Sequence, residues 1–228
     1  ILIYRFSNKY DMFYFSQIKA SSIYCMIGAG IVGKSLYFFT RSTTSGLTIF
    51  ERLGGFVFFG GLIGAILGLY IYSLRKWDRF LDLLDTYASL APLGQAIGRI
   101  GCYFNGCCYG KAYDGFLSVK YIVNDVETSV FPTWFIESVF CFLLFICMFC
   151  VSKEVYSGIY SAIYLMSYSL FRFVIEFYRG DSLRGVWLGL STSQYISASM
   201  LFIGIVIFIK SNFVKEKNLL IIGRKKNA

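Results

Sequence analysis

Histidine is absent from the chain, which removes imidazole general-base catalysis and any His-ligated metal from the chemistry these residues can supply. Charge is scarce: 15% of residues are Asp, Glu, Lys or Arg, against about 25% in soluble domains. With 57% hydrophobic residues and a mean hydropathy of +0.61, that shortage excludes an ordinary soluble domain and leaves a polytopic membrane protein. Proline occurs twice and glycine 22 times. The apolar runs lack the strict apolar-polar alternation of barrel strands, so the expected fold is an all-α integral membrane helix bundle. There is no internal repeat, low-complexity segment or linker, so residues 1–228 read as a single membrane domain. Residues 1–18 are short, mixed and tyrosine-rich, without the small-residue cleavage site of a signal peptide.

Apolar runs of about 20 residues predict six spans near 20–40, 53–74, 80–104, 133–151, 157–177 and 187–209. The third is the least apolar, because Asp82 and Asp85 make its first half interfacial. Thirteen cations fall at one set of span ends. Six fall at the other: Arg41, Arg52, Lys111, Lys120, Arg179 and Arg184. The positive-inside rule then puts both ends of this chain in the cytoplasm and turns the loops at 41–52, 105–131 and 178–186 outward. This asymmetry, with a basic C-terminal tail against anionic headgroups, accounts for the net charge of +9 without nucleic acid.

Within this frame, residues 93–110, LGQAIGRIGCYFNGCCYG, carry Arg99 in hydrocarbon-like surroundings. An arginine mid-span costs roughly 2.5–3.5 kcal/mol, so it is kept where it has a partner or a task. A packing seam with a snorkelling arginine is the plain alternative. Downstream, Arg172, Glu176 and Arg179 are spaced four and three apart, which on a helix puts them on one face amid Phe171, Phe173 and Phe177. With Arg99 they suggest a cationic pocket suited to a phosphate; structural ion pairing is the alternative. Glu137, just after the helix-starting Pro132, reads either as a counter-ion for Arg99 or as a carboxylate that handles a proton.

In the second run, Gly60, Gly64 and Gly68 form a packing face, and the pair Gly60 and Gly61 adds a bend or a close ligand contact. Cys102, Cys107 and Cys108 admit three readings: a disulfide from Cys102 to one of the adjacent pair, a reactive thiol, or small packed residues. A zinc site is disfavoured, since only three thiolates cluster and no histidine completes the set. No metal or cofactor is expected.

The segments GGLIGA (60–65), GRIGCYFNGCCYG (98–110), PTWFIE (132–137), FRFVIEFYRGD (171–181) and GLSTSQYIS (189–197) occur in the order and spacing of the prolipoprotein diacylglyceryl transferase family. GAGIVGKSLYFF (28–39) is similar to that family's second transmembrane helix. The resemblance implies seven spans in the intact protein, with a first helix upstream of the apolar run at 20–40. It implies a bacterial inner-membrane enzyme with its site toward the outer leaflet. The reaction would move a diacylglyceryl group from phosphatidylglycerol to the lipobox cysteine thiol of a prolipoprotein, releasing glycerol phosphate. By position, Arg99 matches the headgroup-binding arginine, Asn105 an asparagine of the same signature, and Arg172, Glu176 and Arg179 the set around the active site. Catalysis would fall to Arg172 and Glu176, and substrate binding to Arg99, Asn105, Arg179, Glu137 and Gly61.

Several positions depart from the family pattern. Cys102 stands where asparagine is usual, Cys107 where glutamate is usual, Phe59 where histidine is frequent, Trp134 where glutamine is usual, and Lys34 replaces an arginine. Without that histidine the acceptor thiol must lose its proton to a carboxylate, the departing phosphate or water, and Glu176 is the candidate. A diverged paralogue with another acceptor, and a lipid-binding or transport protein without chemistry, are the rival readings.

Overall fold

The structure is a computed structural model that describes residues 12–41, 58–74, 80–123, 126–150, 157–180, 186–187 and 189–226. The expected outward loop at 41–52 and most of that at 178–186 lie outside these residues, as do the side chains of Phe59 and of the tail beyond Asn212. Six α-helices are described: α1 (Met12–Arg41), α2 (Phe58–Ser73), α3 (Phe80–Phe104), α4 (Thr133–Cys150), α5 (Ile159–Ile175) and α6 (Thr192–Lys226). They follow the six apolar runs. Two, Thr133–Cys150 and Thr192–Asn212, are by length and composition apolar enough to cross a membrane, and Gly60–Ser73 is a shorter apolar helix.

The all-α expectation needs one amendment. Between α3 and α4 the chain forms an antiparallel hairpin, β1 (Val119–Val123) with β2 (Val126–Val130), in the register Val119 opposite Val130. A second, two-residue ladder pairs β3 (Val186–Trp187) with β4 (Leu190–Ser191). Gly189, at φ 81°, sits in the turn of that ladder, which is why the sixth helix starts at Thr192 and not at 187 as the apolar run suggests.

The chain divides into two compact units, Ile1–Leu84 and Asp85–Ala228. In the first, α1 and α2 meet along glycines. A methyl group at Gly64 would run into the carbonyl of Gly28, and one at Gly68 into that of Tyr24. At Gly60 it would lie 3.0 Å from the Cα of Gly33. The four-residue spacing therefore brings two backbones together, as expected. Helix α2 runs unbroken through Gly60 and Gly61, and Gly61 is buried in this unit.

In the second unit, α3, α4 and α5 are joined through Ser138, whose hydroxyl donates to the Ala96 carbonyl at 2.8 Å, and through the rings of Phe140 and Phe171, stacked at 3.9 Å. Ala96, Cys141 and Tyr168 form a small core with Tyr164 and Met200 against it. Helix α4 buries Glu137 and Ser138 alongside Cys141, Leu144, Phe145 and Met148, whereas Val139, Phe142, Leu143 and Ile146 are exposed. Such a distribution suits a hydrocarbon solvent and not water.

Asp85 corrects a sequence expectation. It is buried, and its carboxylate accepts from the backbone N–H of Gly158 at 2.6 Å, the N–H of Ser161 at 2.8 Å and the Ser161 hydroxyl at 2.5 Å. The free N–H groups and positive dipole end of α5 hold this carboxylate, so α3 supplies the cap that Gly158 lacks.

Candidate functional site

Arg99 lies on the last turns of α3, and Glu137 on the second turn of α4, which Pro132 precedes. Their side chains form an ion pair at 2.6 Å, with Glu137 1% exposed. Tyr168 on α5 donates its hydroxyl to the same Glu137 oxygen at 3.0 Å. Three helices thus converge on one carboxylate. Of the two roles open to Glu137, the geometry displays that of a counter-ion.

One helical turn beyond Tyr168, Arg172 is 8% exposed and pairs through Nη2 with Glu176 at 2.7 Å. The same Nη2 lies 3.4 Å from the hydroxyl of Ser193 on α6. Ser191 donates to the other oxygen of Glu176 at 2.9 Å. Nη1 of Arg172 is buried with no hydrogen-bond partner. A buried guanidinium N–H left unmet costs more than 1–3 kcal/mol, the ordinary penalty for an unpaired buried donor. This nitrogen is therefore free to donate to an incoming acceptor.

Arg179 departs from expectation. The α-helix ends at Ile175, a 3-10 turn covers Glu176–Tyr178, and Arg179 is extended at φ −75°, ψ 141°, so the three residues do not form one helical ladder. Arg179 is nonetheless buried. The cause is backbone pairing with the glycine-rich loop: Lys111 N–H donates to the Tyr178 carbonyl at 2.9 Å and Gly180 N–H to the Tyr109 carbonyl at 3.2 Å. On its other side, Gly110 N–H donates to the Phe131 carbonyl at 2.8 Å. Only glycine fits here. A Cβ on Gly110 would press on the carbonyls of Phe131 and Tyr178, and one on Gly180 on that of Gly110.

This clamp fixes the cysteine loop. Gly106 and Cys108 both have φ 62°, a conformation costing a residue with a side chain of order 1 kcal/mol. It is held by the Thr133 hydroxyl, which donates to the Cys108 carbonyl, and by Cys107 N–H donating to the Cys102 carbonyl at 3.1 Å. The Cys108 sulfur lies 3.7 Å from Nη1 of Arg99. Burial opposes ionisation of this thiol, but the neighbouring Arg179 and Arg99 guanidiniums outweigh it and hold it below the ordinary thiol range. Cys107 moves the other way, pushed up to about 12 by burial and by the Cys108 and Cys102 sulfurs. All three cysteines are free thiols, so the disulfide reading is not met in this structure.

Residues 1–210 match the family model for prolipoprotein diacylglyceryl transferase. The chain belongs to that family. It is 36% identical over 199 residues to phosphatidylglycerol–prolipoprotein diacylglyceryl transferase of Clostridium tetani, covering 84% of this chain and 79% of the relative. To the second such transferase of Clostridium perfringens it is 34% identical, over 82% and 76% of the two chains. For the transferase of Neisseria meningitidis serogroup C the identity is 32% over 221 residues, covering 84% and 77%.

Among the family-matched residues, the structure gathers Arg99, Glu137, Arg172, Glu176 and Arg179 within the second unit. Asn105 stands exposed in the turn after α3, its backbone N–H donating to Gly101 at 3.1 Å. Gly61 belongs to the first unit. Sequence reasoning missed Tyr168, Ser191 and Ser193, the polar residues that hold the two carboxylates and Arg172. Tyr168 had a legible signal, being one helical turn before Arg172; the serines lie within GLSTSQYIS, which resembles the family without naming a role.

Proposed function

We propose that this chain transfers the diacylglyceryl group of phosphatidylglycerol to the lipobox cysteine thiol of a prolipoprotein. The observation that carries this reading is Arg172, buried, fixed by Glu176 and Ser193, and holding one guanidinium nitrogen without a partner. Charge supports it. Three arginines against the carboxylates of Glu137 and Glu176 leave one formal positive charge, the complement of a phosphodiester monoanion.

In this reaction the acceptor sulfur forms a C–S bond to the glyceryl carbon of the diacylglyceryl group while that carbon's bond to the phosphate oxygen breaks. Glycerol phosphate leaves with the electron pair. The arginines stabilise the charge developing on the leaving phosphate, and the thiol proton passes to a carboxylate, for which Glu176 is the candidate. Arg99 and Arg179 hold the headgroup, with Asn105 as a further substrate contact. The exposed apolar side chains of α4, with Glu137 buried behind them, support a membrane setting. We read six spans in one membrane domain, with both ends of this chain cytoplasmic by the charge asymmetry and the site opening toward the outer leaflet of a bacterial inner membrane.

The test supplies membranes carrying the chain with headgroup-labelled phosphatidylglycerol and a lipobox peptide. Release of labelled glycerol phosphate, together with gain of a diacylglyceryl group by the peptide, is the expected result. Folded protein that yields neither would overturn the assignment and favour another acceptor or a binding role.

A further inference from the structure

The transferase reading leaves the cysteine loop without a task. Nothing in headgroup binding calls for three thiols side by side, yet the sulfurs of Cys102, Cys107 and Cys108 lie within 4.8 Å of one another. We propose that these three residues form a binding site for one thiophilic d10 cation, Zn2+ or Cu+.

Metal–thiolate bonds of about 2.3 Å place three sulfurs around one ion roughly 4 Å apart, so modest rotation of the side chains closes the set. The backbone is already shaped for it. The left-handed turns at Gly106 and Cys108 fold the loop back, Cys107 N–H is bonded to the Cys102 carbonyl, and the Thr133 hydroxyl anchors the Cys108 carbonyl. All three are free and only partly buried, which leaves an entry path.

The lack of a fourth protein ligand, which disfavoured zinc at the level of sequence, is not an obstacle. Sites with three protein ligands keep a fourth position for water, and soft thiolates alone select Cu+ and Zn2+. The surrounding shell fits as well: Arg99 Nη1, 3.7 Å from the Cys108 sulfur, provides an outer donor of the kind that orients ligating atoms. On binding, each thiol gives its proton to solvent as its sulfur–metal bond forms. Three thiolates around Zn2+ carry a net charge of −1 against Arg99. Occupancy then competes with the phosphate for that guanidinium, a consequence that rests on the transferase reading.

The test uses the full chain in detergent with its thiols reduced, and Cd2+ as the probe. Expected are one Cd2+ per chain, a thiolate-to-cadmium charge-transfer band, and displacement by Zn2+ or by Cu+, the stronger competitor identifying the preferred ion. Cys102→Ser, Cys107→Ser and Cys108→Ser should each weaken binding by about 10-fold or more, while replacing Cys25, Cys141, Cys147 and Cys150 together leaves it unchanged. Thermal unfolding of each variant checks that it is folded. Absence of the band in folded, reduced protein would overturn the proposal, as would a band that persists undiminished in any of the three single variants. Cadmium binding without lipid transfer would instead retain the metal site and refute the transferase reading.

Discussion

Arg99 of α3 and Glu137 of α4 meet at 2.6 Å, and Tyr168 of α5 closes on the same carboxylate oxygen at 3.0 Å. The pair ties three helices together. Glu137→Ala leaves the guanidinium without its counter-ion and is expected to cost about 3–5 kcal/mol. Arg99→Ala should cost a similar amount, and the double variant less than the sum of the two. A double-mutant cycle on thermal unfolding in detergent checks this, and strict additivity would show that the pair is not coupled.

Arg172→Lys keeps the charge but removes the planar fork that pairs with Glu176 while presenting Nη1. Turnover of labelled phosphatidylglycerol should fall by about 10²–10³, as for the loss of one donor to a developing oxyanion, with little change in melting temperature. Unaltered turnover would remove Arg172 from the chemistry.

Gly110→Ala forces the Phe131 and Tyr178 carbonyls apart. The expected cost is about 1–3 kcal/mol. A larger loss of activity than of stability should accompany it, because Arg179 and Cys108 are both placed by this strand of backbone. Comparing melting temperature with transfer rate separates the two effects.

Cys108, held below the ordinary thiol range by Arg179 and Arg99 against the effect of burial, carries more thiolate at neutral pH than Cys107, which is raised to about 12. Iodoacetamide should therefore label Cys108 first, and its labelling rate should level off with rising pH before that of Cys107 begins to climb. Peptide mapping against time at several pH values reads the order directly; Cys107 reacting first would contradict it.

The helices were legible because each is a long apolar run, and the run's length depends only on local sequence. Arg99, Arg172 and Glu176 were legible for the converse reason, as charges where the surroundings are apolar. What the sequence did not disclose is non-local. Asp85 looked interfacial because its partners at Gly158 and Ser161 come from a helix far along the chain. Arg179 looked helical by spacing, but the pairing of its neighbours with Tyr109 and Lys111 draws the backbone out of the helix. The β1–β2 hairpin was read only as a loop, since β2, VETSV, is short and exposes its first two residues.

The Gly110 segment is bonded on one side to Phe131 and on the other to Tyr178 and Gly180, so it cannot be completed in the order in which the chain is made. The half facing Phe131 can pair once the hairpin has emerged. The other half must wait until the whole of α5 has been synthesised. A nascent chain halted before residue 178 would thus carry Arg99, Glu137 and all three loop thiols, yet lack the backbone partner that completes the clamp. The clamp is in this sense one of the last parts of the site that the growing chain can complete.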